Sequence, residues 1–171
     1  MSIGRLITLF IFLILLNNCA TTKEIIEKTV GRASCDLRKP GMFQVKNTSE
    51  TMKEHNCTYG LKMKLRIIDS SLIPSMVQGG DDLCHRVTYA LCPSAPAETY
   101  AAKIDRSIIF KGKIVTTYSS NKELKPGTWD IDVKIPVPKD AQAGVYAVRT
   151  NIIVGNNYYS KVVEFQVLIN K

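Results

Sequence analysis

The chain has 171 residues, 45% hydrophobic and 22% charged, a balance that supports one domain with its own core and excludes both a disordered chain and two large domains. Lysine and arginine outnumber aspartate and glutamate by 23 to 15, for a net charge of +8. The charges are scattered and form no run, so we expect a solvated basic surface suited to an anionic surface or a protein partner, and no nucleic-acid ligand.

The first element is an export leader. Met1 to Gly4 and Arg5 form a short basic start, and Leu6 to Leu16 is an apolar run broken only by Thr8. A membrane-spanning helix needs about 20 apolar residues, so this run has the length of a signal-peptide core and is too short for a permanent span. A cut after Ala20 would put Asn18 where ordinary signal peptidase requires a small residue. Leu16-Asn17-Asn18-Cys19 instead resembles a bacterial lipobox, with Asn18 in place of the usual Gly, Ala or Ser, and Cys19-Ala20-Thr21-Thr22 resembles the start of mature bacterial lipoproteins. The resemblance implies a signal peptide over 1–18 and acylation of Cys19 as the membrane anchor. Ala20 after the cysteine implies sorting to the outer membrane, facing the periplasm or the cell surface. Several acyl chains hold a protein to a bilayer, since each buried CH₂ contributes about 0.8 kcal/mol.

Residues 19–34 read as the lipidated terminus and a tether, able to reach roughly 50 Å when extended. The domain is expected over 35–171. With Cys19 lipidated, Cys35, Cys57, Cys84 and Cys92 remain to form two disulfides in an oxidising compartment. Three connectivities are open, and the expected one is local: Cys35 with Cys57 and Cys84 with Cys92.

From Cys35 to Cys57 the chain is polar and irregular, with a turn at Pro40-Gly41 and a strand-like piece at Met42 to Val45. In the next stretch Leu61, Met63, Leu65 and Ile67 alternate with Lys62, Lys64 and Arg66, which predicts a strand with an apolar face and a basic outer face that could bind an anionic surface. Ile73 to Asp82 reads as a loop. Val87, Tyr89 and Leu91 predict a short strand between Cys84 and Cys92, ended by Pro93 and Pro96.

Ser107 to Phe110 and Lys113 to Tyr118 have hairpin spacing around Lys111-Gly112. Ser119-Ser120-Asn121 and Lys125-Pro126-Gly127 then precede a strand whose inward face is Trp129, Ile131, Val133 and Ile135. A proline-containing connection leads to a strand ending at Val154, and Gly155-Asn156-Asn157 turns into a last strand with Val163, Phe165, Val167 and Ile169 inward. Short strands, frequent turns and no convincing helix predict an all-β, antiparallel sandwich.

The stretch Ile135 to Val148 resembles the end of immunoglobulin-like modules in bacterial exported proteins, where a proline segment turns a corner and Gly-x-Tyr opens a strand. The resemblance implies that Gly144 takes a conformation costly for other residues and that the Tyr146 hydroxyl ties to the corner backbone. Cys92-Pro93 and Pro138 to Tyr146 also resemble the MD-2-related lipid-recognition family, which implies a lipid held between splayed sheets.

Catalytic raw material is sparse. His55 and His85 are the only histidines and neither stands in a nucleophile or metal motif. Cys84-His85 with Cys92 lacks further ligands for a metal, and the pairs Asp81-Asp82 and Asp130/Asp132 read as loop and solvent-face carboxylates. Tyr158-Tyr159 at a hairpin end reads as a core-edge pair, and Asn47-Thr48-Ser49 and Asn56-Cys57-Thr58 are sequons that matter only in a eukaryotic source. No cofactor and no enzymatic activity are expected. A non-catalytic binding or assembly module of the cell envelope is.

Overall fold

The computed structural model describes residues 40–169; the leader, Cys19, the tether and Cys35 lie outside the described residues. Within them, nine strands and one short helix follow in order: β1 (Gly41–Lys46), α1 (Thr48–Glu54), β2 (Lys64–Ile73), β3 (Met76–Val77), β4 (Asp82–Cys92), β5 (Tyr100–Phe110), β6 (Lys113–Leu124), β7 (Gly127–Pro136), β8 (Gly144–Val154) and β9 (Asn157–Val167). One sheet has the order β1-β7-β4-β2 and the other β3-β9-β8-β5-β6. The all-β sandwich is therefore the fold. Its pairings are antiparallel except for β3, which adds two residues parallel to β9.

Period-two patterning builds the inner faces. On β4, Leu83, His85, Val87, Tyr89 and Leu91 are all fully buried, and on β8 the inward set is Tyr146, Val148, Thr150, Ile152 and Val154. These faces pack into two apolar clusters. One is built around Leu65, Val87, Tyr89, Leu91, Ile104 and Ile152, the other around Leu72, Leu83, Ile108, Ile135, Val148 and Phe165. Burying a side chain of this size contributes about 1.5–3 kcal/mol, so the clusters supply the bulk of the driving force.

Several boundaries differ from expectation for identifiable reasons. The strand expected over Leu61 to Ile67 starts at Lys64 and continues to Ile73 through a register shift between Ile67 and Asp69. The bulge reverses which residues point inward, from Leu65 and Ile67 to Ser70 and Leu72. The expected loop after Ile73 contains β3. Ser119-Ser120-Asn121 lies inside β6, held in register against Lys103 to Asp105 of β5. Ile169 falls beyond the end of β9 and is 74% exposed, so it is no part of the inward face.

The helix α1 was not expected, because its residues Thr48 to Glu54 carry no apolar stripe. It is started by a capping box: Asn47 Oδ1 accepts from the Glu50 amide at 2.9 Å, and the Glu50 carboxylate accepts from the Asn47 amide at 2.9 Å. Thr51 is fully buried, with its hydroxyl 2.9 Å from that of Thr128 on β7. The helix thus packs on the outer face of the four-stranded sheet at the start of β7.

The expected local disulfides are overturned. Cys57, just after α1, is bonded to Cys92 at the end of β4, across 35 residues of sequence and a Cα separation of 6.2 Å. Cys84 is disulfide-bonded as well. Cys84 and Cys92 sit on the same strand, and eight extended residues span about 26 Å at 3.3 Å each, far outside disulfide reach. With Cys57 taken by Cys92, pairing of Cys57 with Cys35 is excluded too.

The corner before β8 has the expected form. Gly144 has φ +147°, and a Cβ there would lie 3.0 Å from the Phe110 ring. The Tyr146 hydroxyl donates to the Gln142 carbonyl at 2.9 Å. Phe110, Tyr146 and Phe165 stack across β5, β8 and β9, with centroids 4.3 and 5.5 Å apart.

Candidate functional site

Between the two apolar clusters lies a polar layer to which four strands each contribute one inward residue. Ser70 stands between Leu65 and Leu72 on β2, His85 between Leu83 and Val87 on β4, Arg106 between Ile104 and Ile108 on β5, and Thr150 between Val148 and Ile152 on β8. All four are buried, His85 and Thr150 completely and Arg106 to within 3%. Arg106 and Thr150 are direct cross-strand partners. The layer joins both sheets through His85.

The hydrogen bonds assign the imidazole's protonation. Arg106 Nε lies 3.1 Å from His85 Nδ1, and a guanidinium can only donate, so Nδ1 is the acceptor. The ring proton is then on Nε2, which donates to Ser70 Oγ at 2.9 Å and lies 3.4 Å from Thr150 Oγ1. Burial, reinforced by the Arg106 charge, pushes the His85 pKa down to about 3, and burial lowers that of Arg106 to about 10. At neutral pH the imidazole is neutral and the guanidinium charged. Arg106 Nη2 is buried and has no hydrogen-bond partner.

On the outer face of the four-stranded sheet, Arg86 of β4 bridges to β7. Its Nε and Nη2 donate to Asp132 at 2.8 and 2.7 Å, and Nη1 lies 3.1 Å from Asp130. Thr88 Oγ1 adds a bond to Asp130 at 2.7 Å. The Asp130/Asp132 pair holds an arginine, whose pKa is raised by the Asp132 hydrogen bonds. That arrangement is a cross-strand clamp and leaves neither carboxylate placed for proton transfer.

Lys62, Lys64 and Arg66 are exposed, the latter two on β2, which ends the four-stranded sheet. The hairpin tyrosines separate, with Tyr158 58% exposed and Tyr159 packed against the first cluster. Asp81 accepts from the Gln78 amide at 2.9 Å in the loop before β4. The polar layer was missed because its members, at 70, 85, 106 and 150, form no sequence motif; an arginine at an inward position of a β-rich run was the available signal.

Among the described residues no three His, Cys, Asp or Glu side chains come together as a metal site, and no helix is long and apolar enough to cross a membrane.

No family model matches the chain, and no curated protein matches it. Among solved structures it is similar to the sporulation control protein Spo0M from Bacillus subtilis, at 16% identity over 64% of this chain and 51% of that one, with a TM-score of 0.44. It is also similar to the alkylpurine DNA glycosylase AlkC from Pseudomonas fluorescens, at 15% identity over 64% of this chain and 31% of that one, TM-score 0.44. A family 123 glycoside hydrolase from Clostridium perfringens matches at 11% identity over 63% of this chain and 27% of that one, TM-score 0.42. The chain spans about half of the first protein and less of the other two, and these likenesses carry no statement about its ligand or activity.

Proposed function

We propose that this chain is an exported lipoprotein, anchored through acylated Cys19, whose sandwich acts as a non-catalytic binding or assembly module of the cell envelope. The observation that carries the reading is the disulfide between Cys57 and Cys92, with Cys84 also bonded: disulfides of this kind form and persist outside reducing compartments. The apolar run ending in Leu16-Asn17-Asn18-Cys19 supplies the route there. The interior favours a binding surface over an internal lipid site, because the inward positions of both sheets carry buried apolar side chains, including Tyr89, Ile104 and Ile152. The contact surface is then on the outside, with Lys62, Lys64 and Arg66 as its basic element, facing an anionic surface or an acidic envelope protein.

The test is expression in a Gram-negative host with intact-mass analysis and membrane fractionation. The mature protein should begin at Cys19, carry acyl mass and sediment with outer membranes, and Cys19→Ala should release it. A mature terminus elsewhere with no added mass would remove the lipoprotein reading.

A further inference from the structure

Among the described residues the interior carries one charge, on Arg106, with no counter-charge. Arg106 is enclosed between the two apolar clusters, spends its Nε on the neutral acceptor His85 Nδ1, and has no acidic partner among the described residues. The nearest polar groups of the layer, Ser70 and Thr150, are hydroxyls turned toward His85 Nε2. A buried guanidinium without a compensating anion is strongly unfavourable, and a hydroxyl or a water can satisfy a donor without balancing the charge. The unused Nη2 donor points to where the balance is made.

We propose that Arg106 Nη2 holds a small monovalent anion, a halide or a formate-sized carboxylate, inside the sandwich. The site is built by Arg106 as the charged donor, with His85 holding the guanidinium through Nε and so fixing the direction of Nη2 on the same edge. Size follows from position: Nη2 is sealed from solvent, so the occupant is enclosed between the sheets, and a large or multiply charged anion would carry uncompensated charge or fail to fit. The positive net charge of the chain favours anion capture during folding. Such an ion acts as a structural ligand that locks the two sheets together, independent of any partner on the outer surface.

The experiment uses the unaltered chain crystallised in sodium bromide, with anomalous diffraction at the bromine edge. A peak within hydrogen-bonding distance of Arg106 Nη2 is expected. In parallel, thermal unfolding is compared in chloride, formate and gluconate at matched ionic strength and pH. Above saturation of the site, each tenfold rise in chloride or formate should multiply the folding equilibrium constant about tenfold, with no such rise in gluconate. Arg106→Met should abolish the chloride dependence; if that variant does not fold, the bromide map decides alone. Bromide only at surface lysines, a carboxylate from elsewhere in the chain seated on Nη2, or chloride dependence that survives in Arg106→Met overturns the proposal.

Discussion

Arg106 Nε donates to His85 Nδ1 across the sandwich, 3.1 Å from one sheet to the other and 21 residues apart in sequence. That bond fixes which imidazole nitrogen is protonated, while burial, reinforced by the Arg106 charge, keeps the ring neutral. It also makes the interior sensitive to acid.

The folded His85 pKa of about 3 lies well below the ordinary 6.5, so the unfolded chain binds a proton in a range where the folded chain does not. The contribution to stability is full above pH 6.5 and declines as pH falls from there toward 3. Its slope is on the order of 1 kcal/mol per pH unit. Urea midpoints measured at pH 7.5, 6 and 5 should fall steadily. His85→Gln, which can accept from Arg106 and donate to Ser70, should flatten that decline relative to the unaltered chain. The same slope in both proteins would remove His85 as its source.

Reading the disulfide as Cys57–Cys92 changes what reduction does. The bond closes a loop of 35 residues that contains β2, β3 and β4, and a loop of this length contributes about 3–4 kcal/mol in the chain-entropy description. Cys57→Ser with Cys92→Ser should lower stability by about that amount and loosen α1, whose Met52 carbonyl accepts from the Cys57 amide at 2.9 Å. Non-reducing peptide mapping should recover a peptide joining Cys57 to Cys92, and none joining Cys84 to Cys92.

The corner at β8 separates backbone strain from a hydrogen bond. Tyr146→Phe keeps the stack with Phe110 and Phe165 and loses only the bond to Gln142, so a loss of about 1 kcal/mol is expected. Gly144→Ala meets both a positive φ and the Phe110 ring at 3.0 Å. Its cost should be larger, about 2 kcal/mol or more. Denaturant titration of the two variants checks the order, and equal losses would show that the corner does not depend on glycine.

Why the corner was legible and the polar layer was not is a matter of range. Gly144 and Tyr146 act within a few residues of the backbone they fix, and Trp129 to Ile135 alternate cleanly because β7 has one wet and one dry face. Arg106 is a charged residue at an inward position, so it hid the first half of β5 from a reading based on alternation. His85 looked isolated because its partners arrive from three other strands. α1 has no apolar period and announces itself only through Asn47 and Glu50. The Cys84–Cys92 pairing, by contrast, was excluded by the strand reading itself, since a straight strand keeps its ends apart.

The exposed cations of β2 give the surface test. Lys64 and Arg66 stand on the outer face of an end strand with Lys62 just before it, so none of the three supports the core. Reversing them together, Lys62→Glu with Lys64→Glu and Arg66→Glu, should change stability by less than about 0.5 kcal/mol per site. Near an anionic surface each basic residue contributes about 1 kcal/mol, so three reversals should weaken attachment by two orders of magnitude or more. The mature chain carrying Cys19→Ser, which binds without its acyl anchor, is the protein to measure on phosphatidylglycerol vesicles. Its attachment should also fall as salt rises, because charges at this exposure are screened within about 10 Å at 0.1 M. Attachment unchanged by the three reversals would assign the contact to another face of the sandwich.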